Sequence, residues 1–251
     1  MPKIAVFSET TDLKQQADAL AQHLSLPVAE NPDDYDYLLI LTDQALALKK
    51  NGVKTLPLVI DFLSGPMTYR RQHASLKRET LARALGLKGH STDKIVDATA
   101  GLGRDSFILA SLGFHVQLLE RSPIIQVLLE DAINRALPDP QVGPIVSRMH
   151  LCKMDSIHWM QQQTIDMRPQ IIYLDPMFPE RSKSALVKKE MLMFHEVIGD
   201  DPDAGELLSV ALTCATKRVV VKRSRLSAPL LGRIPSFTME GSSSRFDIYL
   251  I

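Results

Sequence analysis

The chain has 251 residues, 45% of them hydrophobic and 23% charged, an ordinary globular composition that excludes extensive disorder and fibrous repeats. Lys+Arg and Asp+Glu number 29 each, so the net charge is zero and bulk charge announces no nucleic-acid partner; any basic surface must come from local clustering. The elements follow in chain order. Residues 3–7 read as a buried strand, and residues 11–24 have helical spacing with Leu13, Ala17, Leu20 and Leu24 on one side. Tyr37–Leu41 and Leu56–Asp61 are further strand candidates, and Gly65-Pro66 punctuates the chain. Residues 1–66 are therefore expected to form a small N-terminal α/β lobe.

Residues 67–94 carry Arg70, Arg71, Lys77, Arg78, Arg83, Lys88 and Lys94 against Glu79 and Asp93. The pattern from Ser75 to Leu85 suits a basic amphipathic helix ending at Gly86. It is either a solvated connector or a phosphate-contacting arm. From residue 95 the chain alternates regularly. Strands are expected at 95–97, 115–120, 149–152, 171–175 and 218–222, and helices through about 112, over 123–137, 184–198 and 204–216. Two strands at 237–239 and 245–250 have no helix between them. Apolar strands alternating with helices predict a parallel sheet covered on both faces, closed by an antiparallel hairpin.

The glycine turn Asp97-Ala-Thr-Ala-Gly101-Leu-Gly103-Arg104-Asp105 lies between a strand and a helix. Glycine there lets backbone approach a ligand, and the helix N-terminus offers N–H groups. A dinucleotide fingerprint would want a third glycine where Ser106 stands. Asp97 at the strand end would repel a pyrophosphate and suits a cationic ligand end. Glu120 ends the next strand, where a carboxylate can accept both ribose hydroxyls. Asp155-Ser156 ends the third, placed for an adenine amine. Together these describe a ligand with a ribose, an adenine and a cationic end, which S-adenosylmethionine satisfies.

The fourth strand runs into Asp175-Pro176-Met177-Phe178. Asp175 and the Pro176 carbonyl can both accept from one exocyclic amine, and Phe178 can stack on the base that carries it. The turn resembles the Asp/Asn-Pro-Pro-aromatic motif of amino-methyltransferases, with Met177 in place of the second proline. Arg181, Lys183, Lys188 and Lys189 beside this turn, and Lys217, Arg218, Lys222, Arg223 and Arg225 near the fifth strand, are two basic segments suited to RNA phosphates. Seven histidines show no paired metal spacing, and there is no G-x-S-x-G or P-loop. Cys152 and Cys214 allow neither a disulfide framework nor a four-cysteine zinc site and point to a reducing compartment. No apolar run approaches the roughly 20 residues of a membrane span, and the start of the chain lacks signal-peptide features. A cytoplasmic protein without a metal or membrane partner is expected.

Six blocks in order carry a more specific resemblance: Asp97–Asp105, Leu119–Arg121, Tyr173–Pro179, Lys183–Met191, Ala215–Arg223 and Arg245–Tyr249. In these the chain resembles the bacterial ribosomal RNA small subunit methyltransferase J family, densely over 95–251 and loosely before. The resemblance implies a Rossmann-like seven-stranded class I methyltransferase sheet over 95–251. The implied activity is methylation of the exocyclic N2 of a guanosine in small-subunit rRNA with S-adenosylmethionine. It also implies that Arg104, Asp105, Glu120, Arg121, Asp155, Ser156 and Asp175 hold the cofactor. The chain departs from the family at His73–Glu79, where more glycine is usual, and at Ser224, where proline is common. Two other readings stand beside it: a nicotinamide-dependent oxidoreductase on a similar sheet, and a non-catalytic RNA-binding or ribosome-assembly module.

Overall fold

The computed structural model describes residues 2–54, 56–89, 92–177, 193, 196–199, 201–241 and 244–251. Its helices are α1 (Lys14–Leu24), α2 (Gly65–His73), α3 (Thr80–Ala84), α4 (Arg104–Ser111), α5 (Pro123–Ala136), α6 (Gly143–Val146), α7 (Ser156–Gln161) and α8 (Ala204–Cys214). Its strands are β1 (Ile4–Ser8), β2 (Tyr37–Leu41), β3 (Leu46–Lys50), β4 (Ile95–Asp97), β5 (Val116–Leu119), β6 (Met149–Cys152), β7 (Ile171–Leu174), β8 (Arg218–Ser224), β9 (Phe237–Glu240) and β10 (Ser244–Leu250). The chain divides into two compact units.

The first unit is Met1–Asp61 with Ser122–Arg135 and Met177–Asp200. Its sheet runs β1-β2-β3, the first pair parallel and the second antiparallel. Val6, Leu39 and Leu48 are completely buried, and α1 buries Ala17 and Ala21. Arg135 on α5 pairs with Asp131, whose carboxylate accepts from the Leu46 N–H at 3.2 Å. The strand expected at 56–61 is not one. Leu58 makes a single bridge to Leu48, and Leu56 is exposed. Pro57 has no N–H to give a ladder. Strand three is instead Leu46–Lys50, brought back onto β2 by a turn in which Thr42 Oγ1 accepts from the Gln44 and Ala45 N–H groups.

The second unit is Phe62–Arg121 with Ala136–Pro176 and Asp201–Ile251. Its seven strands lie in the order β6-β5-β4-β7-β8-β10-β9. All neighbours are parallel except β10, which runs antiparallel to both β8 and β9. Every residue of β4 and β7 is buried. Successive strand residues point to opposite faces, so both faces of the sheet centre are covered, as the continuous apolar runs required. Helix α4 packs on β5 and β6, α8 on β8 and α7, and α3 on β9 and β10. Phe62 and Phe107 stack with ring centroids 4.9 Å apart. The helix expected over 75–85 is only Thr80–Ala84. Residues 75–79 form a turn in which Ser75 O accepts from the Arg78 and Glu79 N–H groups, and a separate helix α2 precedes it.

The strand order reverses between β4 and β7, which makes their carboxyl ends the crevice in which an open α/β sheet places a ligand.

Candidate active site

Strand β4 ends at Asp97, and the chain turns through Gly101 (φ 50°) and Gly103 (φ 69°) into α4. Both glycines hold the left-handed conformation that side chains resist. The turn is pinned from the neighbouring strand, because Glu120, just past β5, accepts the Gly101 N–H on Oε2 at 2.9 Å. Asp97 is 2% exposed. Ser106 Oγ donates to its Oδ2 at 2.6 Å and the Thr99 N–H to its Oδ1 at 3.2 Å. Burial pushes its pKa up to about 7, against those two hydrogen bonds, which pull it down. The serine that spoils a dinucleotide fingerprint is therefore the internal partner of the strand-end acid.

A second corner of the crevice is built by register. Asp97 pairs with Tyr173 across β4 and β7, and Leu174 with Val221 across β7 and β8, which brings Asp175 alongside Lys222. Lys222 Nζ donates to Asp175 Oδ2 at 2.8 Å and to Asp105 Oδ2 at 2.9 Å. The Tyr173 hydroxyl also donates to Asp105 Oδ2 at 2.9 Å, and Arg70 on α2 donates to Asp105 Oδ1 at 3.0 Å. Burial alone would raise the Asp105 carboxyl, but Lys222 and Arg70 hold it at about 2. Burial would lower the Lys222 ammonium, and Asp105 and Asp175 instead raise it above its usual range. Burial, with the charges of Asp105, Asp175 and Asp97, pushes the Tyr173 phenol well up, so it stays a donor. The Asp175 N–H donates to Thr99 Oγ1 at 2.6 Å, which ties the turn after β7 to the glycine turn. Pro176 beside it is buried.

The other sequence-predicted residues fall as follows. Arg104 is exposed at the first position of α4. Arg121 pairs with Asp203 at 2.6 Å and with Asp201. Asp155 caps α7 by accepting the His158 N–H at 2.9 Å, and Ser156 is buried with its hydroxyl donating to Ala98 O at 2.6 Å. Arg70 pairs with Asp105 at 3.0 Å and with Glu79 at 3.6 Å, and Arg71 donates to the Gln141 backbone and side chain. Of Lys222 and Arg223, expected on an RNA-binding surface, Lys222 is partly exposed in the crevice and Arg223 is covered. Arg223 is buried and donates to Ala228 O at 2.8 Å, while Lys222 sits between two carboxylates. Only part of the basic run is covered: Arg223 is buried within β8, while Lys217 before the strand and Arg225 after it keep 58% and 50% of their side chains exposed. Phe178, Arg181, Lys183, Lys188 and Lys189 lie outside the described residues. Sequence reasoning missed Tyr173 and Thr99. The signal for Tyr173 was its position two residues before Asp175, on the same face of the strand.

A family model for SAM-dependent methyltransferases matches residues 19–251. A ribosomal RNA small subunit methyltransferase J from Thioalkalivibrio sulfidiphilus is 45% identical over 249 residues, 99% of this chain and 98% of that one. The protein of the same name from Pseudomonas aeruginosa is 43% identical over 99% of this chain and 95% of its own. The chain belongs to the ribosomal RNA small subunit methyltransferase J family. The crystal structure of a SAM-dependent methyltransferase from Neisseria gonorrhoeae, 33% identical, superposes with a TM-score of 0.75 over 98% of this chain and 95% of that one. Members of this family are S-adenosylmethionine-dependent methyltransferases, and so is this chain. The residues present fit that cofactor. A buried acid whose pKa is raised to about 7 gains from a cationic ligand end, and Glu120 sits at a strand tip, a position from which a carboxylate can accept ribose hydroxyls. Among the described residues no cluster of three or more metal-ligating side chains occurs, and no helix is long and apolar enough to cross a membrane.

Proposed function

We propose that the chain methylates the exocyclic N2 of a guanosine in small-subunit ribosomal RNA, in the cytoplasm, with the RNA or the assembled small subunit as its partner. The observation that carries this reading is the Asp175-Pro176 turn. In a chain whose relatives are named for ribosomal RNA methylation, it sets a carboxylate and a carbonyl at the carboxyl end of β7, tied to the glycine turn through Thr99.

In this reading Asp175 and the Pro176 carbonyl accept the two N–H groups of the guanine amine and aim its nitrogen. That nitrogen's lone pair is delocalised into the ring, so orientation is a large part of the catalytic help. When bound, S-adenosylmethionine supplies a methyl group on a positively charged sulfur. Asp97 serves its cationic end, Glu120 its ribose, and Asp155 with Ser156 the adenine side, while the Gly101 and Gly103 turn admits it closely. Asp175 or water takes the proton that the methylated amine releases. The base must leave its stack or be presented single-stranded. Phe178 as stacking partner, and Arg181, Lys183, Lys188 and Lys189 as phosphate contacts, are assigned on sequence alone. The test is radiolabelled methyl transfer to small subunits from a strain lacking this protein, followed by nucleoside analysis. N2-methylguanosine is the expected product. Label in another nucleoside, or none although S-adenosylhomocysteine binds, overturns the reading.

A further inference from the structure

Lys222 is poorly placed to meet an RNA phosphate. Two of the three donors of its ammonium go to carboxylates, Asp175 Oδ2 at 2.8 Å and Asp105 Oδ2 at 2.9 Å. Asp105 is itself braced by Arg70 and by the Tyr173 hydroxyl. Arg70 also pairs with Glu79 at 3.6 Å, so the ionised network of Glu79, Arg70, Asp105, Lys222 and Asp175 carries one net negative charge. Asp175 stands at its open end, with 39% of its side chain exposed against 18% for Asp105.

A carboxylate at a strand tip has a broad, soft terminal torsion. To steer an amine it must be held in one orientation, because reacting groups misplaced by about 1 Å lose roughly 100-fold in rate. Lys222 is suited to hold it, since its backbone is locked in β8 in register with β7. The bond from Lys222 takes one of the roughly four acceptor sites that a carboxylate offers. We propose that Lys222 is a positioning residue for methyl transfer: it fixes the Asp175 carboxylate toward the substrate amine, and Asp105, braced by Arg70 and Tyr173, fixes Lys222. The inference rests on Asp175 being the amine acceptor. Among the described residues, the groups facing this corner are Asp97 on β4, Arg70 on α2, Glu79 just before α3, Asp105 on α4, Tyr173 on β7 and Lys222 on β8. Without Lys222, the cation remaining among these described groups is Arg70, paired with Asp105 and Glu79, and Asp175 faces a second carboxylate across the gap.

The experiment compares wild type, Lys222→Met, Lys222→Arg and Asp175→Ala as full chains. Single-turnover methyl transfer to undermethylated small subunits is measured across pH, with S-adenosylhomocysteine affinity by calorimetry and RNA affinity across salt. Carboxyl NMR follows Asp175, its resonance assigned by its loss in Asp175→Ala. Lys222→Met is expected to lower the rate about 100-fold with both affinities changed less than about twofold. The acid limb of its rate profile and the Asp175 titration both move to higher pH, and Lys222→Arg recovers part of the rate. An unchanged rate and Asp175 titration with weaker, less salt-dependent RNA binding would make Lys222 a phosphate contact and overturn the proposal. Should Lys222→Met not fold, Tyr173→Phe replaces it, because it loosens Asp105 without removing a charge. A lowered rate at unchanged RNA affinity then supports the proposal, and an unchanged rate overturns it. Turnover by Asp175→Ala would instead refute the amine-acceptor reading itself.

Discussion

Asp97 and Asp105 stand on either side of one glycine turn, yet the crevice holds them in opposite electrostatic states. Asp97 has hydrogen bonds from Ser106 and Thr99 but, among the described residues, no cation paired with it, and burial lifts its pKa to about 7. Asp105 is also mostly buried, but Lys222 and Arg70 press on it and its pKa falls to about 2. Burial is common to both, so partners decide the charge. The difference divides the labour of the site. The corner at Asp97 is incomplete and gains from an arriving cation. The corner at Asp105 already holds its cations, and in the proposal above it serves as scaffold for Asp175.

Three substitutions break or sharpen that contrast, taken from the largest expected effect. Asp175→Ala removes the open end of the Asp105 corner. Methyl transfer should fall at least about 100-fold, while the melting temperature moves by no more than about 3 °C, read by a filter assay and by calorimetry.

Asp97→Asn removes the uncompensated charge from the other corner. The raised pKa means that neutral Asp97 stabilises the fold fully below pH 3.8, a contribution lost as pH rises through about 7. Asparagine keeps the neutral state at every pH, accepting from Thr99 and donating to Ser106 Oγ. Without ligand, the variant should therefore match wild type near pH 4 and exceed it above pH 7, by at most about 4 kcal/mol. It should also bind S-adenosylhomocysteine about tenfold more weakly. Urea titrations at several pH values check the first effect and calorimetry the second. A variant less stable than wild type at pH 8 would contradict the picture of Asp97 as a strained acid.

Ser106→Ala is the mildest change. It deletes one buried donor to Asp97 and should cost about 1–2 kcal/mol. It should also raise the Asp97 pKa further, so its stability deficit against wild type is larger at pH 8 than at pH 4. A deficit of equal size at both pH values would mean that the hydroxyl supports packing and not the charge.

Much of this was legible in the residues. The alternation of apolar runs and helical patterns after residue 95 predicted the parallel sheet, and two adjacent strands at the end predicted the hairpin. Three strands ending in acids beside a glycine turn marked the crevice. The failures came where tertiary context overrules local pattern. Leu56–Asp61 is apolar enough for a strand, but Pro57 and a better-placed Leu46–Lys50 took that position. Arg223 looks like surface charge because a basic run ordinarily lies in solvent, and nothing local says that its side chain is buried and bonded to Ala228 O.

Composition, periodicity and the six ordered blocks thus determined by themselves that this is an α/β protein of a methyltransferase family with acids at its strand tips. These are properties of each segment, set by side-chain period and backbone chemistry within a few residues. Only the tertiary structure decided which charges meet. Arg70, Asp105, Asp175 and Lys222 come from four elements far apart in the chain, and strand register alone brings Asp175 beside Lys222. A carboxylate's charge depends on what lies within a few ångströms, and sequence distance carries no trace of that.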